Sequence, residues 1–121
     1  MKSAPEGTLK RGDIVLVPFP FTDLSGKKVR PAIVLSLAER DILLAFISSV
    51  VPSESLSDTD YLLSENYPDF HTTGLKKTSI FKMNKLLTLD RSMILRRLGK
   101  VNEQIQKELD ERLKIAVGIT L

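Results

Sequence analysis

No cysteine occurs in this chain of 121 residues, and there is only one histidine, His71. The absence of cysteine excludes disulfide bonds and metal sites built on thiolates. A single histidine, predicted to lie in a loop without an identifiable partner, gives no support for a histidine-based metal site or a serine–histidine–acid triad. We therefore expect no metal ion and no other cofactor, and we interpret His71 as a surface side chain.

Long apolar runs and glycine-rich loops are also missing. No apolar segment approaches the length of a membrane span, and the first seven residues lack the apolar stretch of a signal peptide. Gly26 and Gly74 are isolated, so the sequence has no phosphate-cradling glycine loop. We expect a cytoplasmic protein without membrane contact, built as a single domain over residues 1–121 with a loose extension at residues 1–9.

Positive charge is present in only slight excess, because 18 lysines and arginines face 15 aspartates and glutamates, for a formal net charge of +3. The position of the cations is more informative than their sum. Two interpretations stay open, a nucleic-acid surface and scattered solubilising lysines. The cations gather at two places, with Lys10, Arg11, Lys27, Lys28 and Arg30 in the first and Lys76, Lys77, Lys82 and Lys85 in the second.

Apolar and β-branched runs bounded by turn residues predict short strands over most of the chain. The C-terminal part changes period, since apolar residues recur at helical spacing from Ile105 to Val117, with Asn102 to cap the start and Gly118 to close the end. These patterns predict a mostly β protein of the α+β class, a small curled antiparallel sheet or barrel with one C-terminal α-helix. The predicted strands cover residues 13–19, 31–37, 41–50, 61–63, 78–82, 85–89 and 95–101, with a helical turn at 90–92.

The first three predicted strands are apolar on both faces, as the consecutive Ile14 and Val15 illustrate for the first of them. A strand of a small antiparallel sheet usually exposes one polar face to water. The second face must therefore be covered by the helix or by another subunit, and one helix is too small to cover three strands. This pattern predicts a homodimer.

Arg30 stands directly before Pro31 near the start of the second predicted strand, and a proline biases the preceding residue towards extended backbone. A guanidinium is always charged and planar, and it binds phosphate in a bidentate manner. Arg30, beside a basic loop, is therefore a candidate phosphate ligand. A solvated arginine at a strand end is the alternative interpretation.

Hydroxyl groups end the third predicted strand at Ser48 and Ser49, where they can donate to a phosphate oxygen or bond the nearby backbone. Ser79 and Lys82 can extend a polar floor under the same site. Phe21 in the first loop is placed either to stack on an unpaired base or to pack in the core. These residue types suit contact with a phosphate and an unpaired base, and bonding to the backbone or packing in the core stays open as the alternative.

The segments that carry these residues resemble the MazF/PemK toxins of bacterial toxin–antitoxin pairs. The resemblance covers about residues 10–118, and it rests on the order and spacing of several short motifs. It implies an SH3-like barrel of the CcdB type with a C-terminal helix, a twofold homodimer, and a type II toxin that cleaves single-stranded mRNA at specific sequences without a metal. The motifs are residues 12–17 (GDIVLV), 29–36 (VRPAIVLS), 78–80 (TSI), 87–91 (LTLDR) and 98–101 (LGKV).

The reaction implied by this resemblance is an attack of a ribose 2′-hydroxyl on the adjacent phosphate, which leaves a cyclic phosphate and a 5′-hydroxyl. Arg30 matches the family's arginine before proline, which implies phosphate binding and transition-state stabilisation. Ser48 falls where many members have a catalytic threonine. RNA binding is assigned to Phe21, Asp23, Lys27, Lys28, Ser49, Lys77, Ser79, Lys82 and Asn84.

The general base has no assigned residue. In the PemK branch an arginine and an aspartate with acid–base roles occupy the strand that here holds Lys82 and Asn84. A lysine can hold a phosphate, but the neutral Asn84 cannot replace a carboxylate base. Asp23 in the first loop becomes a candidate if that loop closes over the substrate.

The resemblance also implies a partner, a cognate antitoxin whose acidic, partly disordered C-terminal tail covers the basic groove of the dimer. Two other functions stay open. A CcdB-like toxin would poison DNA gyrase without nuclease activity, and a plain SH3-like module would bind RNA or protein without cleaving it. The pairing of Arg30 with Pro31 favours the nuclease.

Overall fold

The computed structural model describes residues 8–19, 28–53 and 55–120. Within these residues the chain forms one six-stranded sheet and one C-terminal α-helix, and two short 3₁₀ helices flank the fifth strand. The elements are β1 (Asp13–Phe19), β2 (Lys28–Ala38), β3 (Asp41–Ser48), β4 (Asp60–Leu63), β5 (Ser79–Asp90), β6 (Arg96–Lys100) and α1 (Glu103–Ala116), with the 3₁₀ helices at Phe70–Thr73 and Arg91–Met93.

The sheet has the strand order β4-β5-β3-β2-β1-β6, and all neighbouring strands are antiparallel. It curls into a half-barrel with the helix packed on β4 and β5. The predicted class, a mostly β protein with a C-terminal helix, is confirmed. The described residues include no helix that is both long and apolar enough to cross a membrane.

The sequence predicted two short strands where the structure has one continuous strand, β5, so that prediction was wrong. The ladder of β5 with β3 passes from Lys82 opposite Phe46 to Leu86 opposite Ala45. Residues 83–85 therefore bulge out of the ladder, and a bulge bends a strand without ending it. Met83 and Asn84, the two residues between the predicted strands, lie in this bulge.

The bounds of β2 and β3 place the predicted site residues at one end of the sheet. β2 begins at Lys28, earlier than predicted, so Arg30 lies within the strand and pairs with Val17 of β1. β3 ends at Ser48, and the predicted extension of that strand to residue 50 was wrong. Ser49 therefore follows the strand as part of the connection to β4.

One apolar cluster lies between the sheet and the helix. It contains Ile14, Ile33 and Ile47 from three different strands, and Ile105 and Leu109 from α1 pack against them. All five side chains are buried. The apolar stripe of the helix that the sequence predicted is thus the stripe that covers this face of the sheet.

A second apolar cluster lies on the opposite face and includes Val15 and Val34, both without exposed surface in a single chain. Leu9 and Ile94 are buried in the same cluster. The sequence argument that this face needs a second subunit was wrong, because the curled sheet and its flanking segments cover it. Leu9 also departs from the predicted loose extension, of which residues 1–7 lie outside the described residues.

The helix is capped as the sequence predicted. The Asn102 side chain accepts a hydrogen bond from the backbone N–H of Ile105 at 2.8 Å. Gly118 follows the last turn with φ of 78°, and its N–H donates to the Ile115 carbonyl at 3.1 Å. A positive φ at this position favours glycine, which lacks a Cβ.

A close backbone contact fixes the segment between β4 and β5 against β6. A Cβ built on Gly74, which has φ of 74°, would lie 2.2 Å from the Leu98 carbonyl oxygen. A Cβ built on Gly99 would lie 2.3 Å from the Thr72 carbonyl oxygen. Because backbone atoms cannot yield at these distances, glycine at both positions is required for the two segments to touch.

Candidate active site

A cavity of about 590 Å³ opens where β2 begins and β3 ends. Ligand sites in proteins commonly enclose about 300–1,000 Å³. We call it the cationic cavity, because its described lining holds four cations and no carboxylate. The cations are Arg30, Lys76, Lys77 and Arg96, the hydroxyl groups belong to Ser48, Ser49 and Ser79, and the apolar side chains are Leu16, Val29, Pro31, Phe46, Ile47, Val50, Leu75 and Leu98.

Arg30 and Ser48 share one face at the same end of neighbouring strands. The ladder between β2 and β3 pairs Ala32 with Phe46. Continued two residues further, the same register sets Arg30 opposite Ser48. Directly opposed residues of an antiparallel pair project to the same face, with Cβ atoms about 4.5–5.5 Å apart. The two side chains that the sequence singled out for the chemistry therefore belong to one cavity.

The Ser48 hydroxyl takes part in a local backbone contact. Its Oγ accepts a hydrogen bond from the backbone N–H of Val50 at 3.1 Å. Bonding to the nearby backbone is one of the two roles that the sequence left open for this hydroxyl, and the contact occupies one lone pair of the oxygen. The hydroxyl hydrogen stays free of this bond, so Ser48 can still donate to a ligand in the cavity.

The Arg30 guanidinium has no carboxylate within ion-pair distance among the described residues. Its Nη1 donates to the Val29 carbonyl at 3.4 Å, which is long for a hydrogen bond. Arg11 and Arg40, in contrast, each form an ion pair with an aspartate. A guanidinium beside apolar side chains and without an acid is suited to an anionic ligand.

Ser79 and Lys77, both predicted to bind RNA, are linked to each other. The Ser79 hydroxyl is buried and donates to the Lys77 carbonyl at 2.7 Å. Its hydrogen is therefore engaged in holding the backbone of Lys77 at the rim of the cavity. Ser49, which directly follows β3, is exposed and also lines the cavity.

Two lining cations, Lys76 and Arg96, were not among the predicted site residues. Lys76 belonged to a basic cluster in the sequence, so its position beside Lys77 was the available signal. Arg96 is followed by Arg97, and nothing in the sequence distinguishes the two. The structure does, because Arg97 Nε lies 3.2 Å from Asp13 Oδ1 whereas Arg96 lines the cavity.

The remaining predicted RNA-binding residues fall outside the described cavity lining. Lys28 is exposed, and it lies on β2 two residues before Arg30. Lys82 is half-buried on β5 opposite Phe46, and Asn84 is exposed in the bulge of that strand. Neither Lys82 nor Asn84 is among the described residues that line the cavity, although Phe46, the partner of Lys82 on β3, does line it. Three further predicted residues, Phe21, Asp23 and Lys27, lie outside the described residues.

Carboxyl groups with a lowered pKa occur in the described part of the chain, but away from the cavity. Hydrogen bonds from the Arg40 guanidinium and from Ser92 hold the pKa of Asp90 well below its usual range. Burial raises the pKa of Asp110, but hydrogen bonds led by that of Arg11 outweigh it and lower the pKa overall. Both carboxylates join neighbouring elements of the fold. The described lining of the cavity contains neither a carboxylate nor a histidine.

Comparison with known proteins gives a family match over most of the chain. The model of a family described as PemK-like, MazF-like toxin of type II toxin–antitoxin system matches residues 10–117. No curated protein sequence matches the chain.

Solved structures share the fold at low sequence identity. An endoribonuclease in complex with its cognate antitoxin from Mycobacterial species has a TM-score of 0.70 and 13% identity, covering 94% of this chain and 99% of that one. The Mycobacterium tuberculosis toxin MazF-mt6 has a TM-score of 0.70 and 16% identity, covering 90% and 99%. MazE–MazF from Deinococcus radiodurans (Form II) has a TM-score of 0.71 and 17% identity, covering 95% and 100%. The curled sheet with its C-terminal helix is thus the fold of these structures.

Proposed function

This chain belongs to the PemK-like, MazF-like toxins of type II toxin–antitoxin systems, and on that basis we propose that it is an endoribonuclease, an mRNA interferase that cuts single-stranded mRNA at specific sequences without a metal ion. The observation that carries the proposal is the cationic cavity, which Arg30 and Ser48 line from neighbouring strands. Cleavage of mRNA would halt translation and thereby inhibit growth.

The composition of the cavity supports a phosphodiester as its ligand. Four cations without a carboxylate among the described lining attract a polyanion and bind its phosphates. Apolar side chains such as Phe46 and Leu98 line the same cavity and suit a sugar or a base. A gyrase-binding surface would not require this combination of charges and hydroxyl groups within a concave site.

In the proposed reaction the ribose 2′-oxygen attacks the adjacent phosphorus. A bond forms between the 2′-oxygen and phosphorus, and the bond between phosphorus and the 5′-oxygen breaks. The 2′-hydroxyl loses its proton to a general base, and the leaving 5′-oxygen gains a proton. The products are a cyclic phosphate and a 5′-hydroxyl.

Arg30 and Ser48 act on the phosphate at the moment of reaction. The pentacoordinate transition state carries more charge on its equatorial oxygens than the substrate does, so donors aimed at those oxygens accelerate the step. The Arg30 guanidinium stabilises that charge, and the Ser48 hydroxyl donates to one oxygen while its own oxygen stays bonded to Val50 N–H. Neither residue removes the 2′ proton, because arginine does not deprotonate near neutral pH. Asp23, outside the described residues, is the candidate base.

Two partners complete the proposal. Three apolar side chains at the cavity remain exposed. Val29 and Val50 line it and are 43% and 75% exposed, and Val51, the next residue in the chain, is 47% exposed. Adjacent exposed apolar groups of this kind favour burial in an interface, and we assign them to a homodimer. A cognate antitoxin with an acidic, partly disordered tail would occupy the basic cavity and exclude RNA.

The test is a digest of single-stranded RNA transcripts by the purified protein in EDTA. Cleavage that leaves 5′-hydroxyl ends, and that stops when the nucleotide before the cut is 2′-deoxy, is the expected result. RNA left intact together with inhibition of supercoiling by DNA gyrase would contradict the proposal and favour the gyrase poison. RNA binding without any cleavage product would contradict it in favour of a binding module.

A further inference from the structure

The adjacent arginines of β6 have different surroundings. Arg97 forms an ion pair at 3.2 Å with Asp13, whose carboxylate is only 5% exposed and also accepts the Lys10 backbone N–H at 2.9 Å. Arg96 has no carboxylate within ion-pair distance in the described parts of the chain, and it lines the cationic cavity. One arginine of the pair therefore stabilises the fold, while the other is left to meet a ligand.

The backbone under Arg96 is held firmly. Arg96 pairs with Leu16 of β1, and the Leu95 N–H donates to the Leu16 carbonyl at 2.9 Å. Further along the strand, the contact between Leu98 and Gly74 joins β6 to the other wall of the cavity. A side chain on such a fixed backbone is positioned before any ligand arrives, which reduces the entropy lost on binding.

Arg96 and Arg30 approach the cavity from different sides. Their partners on β1 are Leu16 and Val17, which are consecutive and so project to opposite faces. β2 and β6 are also separated by β1, which sets their backbones roughly 10 Å apart, or two inter-strand spacings. Two guanidinium groups that start from opposite faces and from backbones this far apart are suited to bind different phosphates of one strand.

We infer that Arg96 binds a phosphate next to the scissile one, in a cavity that Lys76 also lines. The inference rests on the proposed ribonuclease function. A cation that holds a neighbouring phosphate strengthens binding of the RNA strand equally before and during the reaction. It therefore acts on RNA affinity and on KM, whereas Arg30 acts on the rate of the chemical step.

The experiment compares Arg96→Gln with Lys100→Gln, which removes the same charge from an exposed residue of the same strand outside the described cavity lining. Arg97 is unsuitable as a control, because its loss would leave the buried Asp13 carboxylate without its cation. Binding is measured with a short fluorescent random-sequence 2′-O-methyl RNA, which lacks the attacking hydroxyl. Cleavage is measured with ordinary RNA at saturating concentration.

Arg96→Gln is expected to weaken binding about tenfold, as for the loss of one charge-assisted hydrogen-bonded contact. The slope of log Kd against log salt should fall by about 0.7, which is the effect of one phosphate contact on a single strand. The saturating cleavage rate should stay close to that of the wild type, and Lys100→Gln should change neither quantity. Arg96→Lys should keep the salt slope and lose part of the affinity, because lysine keeps the charge without the bidentate fork.

Two results would overturn the inference. Equal binding and equal salt slopes for the Arg96 and Lys100 variants would show that Arg96 contacts no phosphate. A fall in the saturating rate with unchanged binding would place Arg96 on the scissile phosphate instead. A wild-type protein that binds RNA but does not cut it would contradict the proposed function alone, since the binding comparison would still decide the role of Arg96.

Discussion

The Ser48 oxygen accepts the Val50 N–H at 3.1 Å and keeps its hydrogen for a ligand, so one hydroxyl supports both the end of β3 and the cavity. The sequence identified this residue because a hydroxyl ends an otherwise apolar strand. Its neighbour Arg30 was identifiable from the proline that follows it. What the sequence could not supply is the second wall of the cavity. Arg96 enters it only through strand pairing between β6 and β1, which no local pattern reveals.

At position 48 we predict that Ser48→Thr cleaves RNA at least as fast as the wild type, while Ser48→Ala loses about a hundredfold or more in rate. Threonine keeps the hydroxyl, and its methyl group restricts the rotamers that the hydroxyl can adopt. The measurement is the cleavage rate at saturating RNA. An alanine variant as fast as the threonine variant would show that the hydroxyl takes no part in the reaction.

Elements of this fold were predictable where one pattern dominated the local sequence. The helix followed from its apolar period and from Asn102, and the strands β1 and β3 followed from uninterrupted apolar runs. β5 was predicted as two strands separated at residues 83–84, where the structure has a bulge that includes the buried Met83 and the exposed Asn84. A bulge depends on pairing with a distant strand, so the sequence around it does not distinguish the two cases.

The contact between the 3₁₀ segment and β6 gives a prediction at the same scale. We expect Gly74→Ala to destabilise the fold by about 2 kcal/mol or more, because its Cβ would overlap the Leu98 carbonyl and its φ of 74° is unfavourable for alanine. Gly118→Ala is the matched control, since φ is 78° there and a Cβ built at that position meets no more distant part of the chain within 4 Å, and it should cost about 1 kcal/mol. Urea unfolding measures both, and equal losses would contradict the close contact.

The ion pair between the β2–β3 turn and the end of β5 predicts a pH dependence. Arg40 and Ser92 donate hydrogen bonds to the Asp90 carboxylate and lower its pKa in the folded state. A lowered folded-state pKa stabilises the fold above the unfolded value of about 3.9, and the stabilisation is lost as the pH falls through the folded value. Asp90→Asn should therefore lower the thermal midpoint at pH 7, and its difference from the wild type should shrink as the pH falls below about 4. A difference that stays constant down to acidic pH would contradict the assignment.

On the scale of the whole molecule, both faces of the sheet are covered within one chain. The sequence showed that both faces are apolar, but it could not show that the sheet curls enough to bury the second face beneath Leu9 and Ile94. A dimer is therefore not needed to complete the core. The exposed apolar residues Val29 and Val50, which line the cavity, and their neighbour Val51 still favour one.

This leads to a prediction for the assembly. At micromolar concentration the protein should sediment at twice the mass of one chain, and Val50→Asp should shift it towards the monomer by placing a charge in the interface. The matched control is Ile115→Asp, an exposed apolar residue on the far end of α1, which should leave the dimer intact. A wild-type protein that sediments as a single chain would contradict the proposed interface.

The central claim is that the Arg30 guanidinium stabilises the transition state of RNA cleavage in the cationic cavity. The most direct measurement is the single-turnover cleavage rate of Arg30→Ala at saturating RNA in EDTA, with thermal unfolding to verify that the variant is folded. The account predicts a rate at least about a hundredfold below that of the wild type, typical of removing one preorganised donor. A folded Arg30→Ala variant that cuts RNA within a few-fold of the wild-type rate would contradict it.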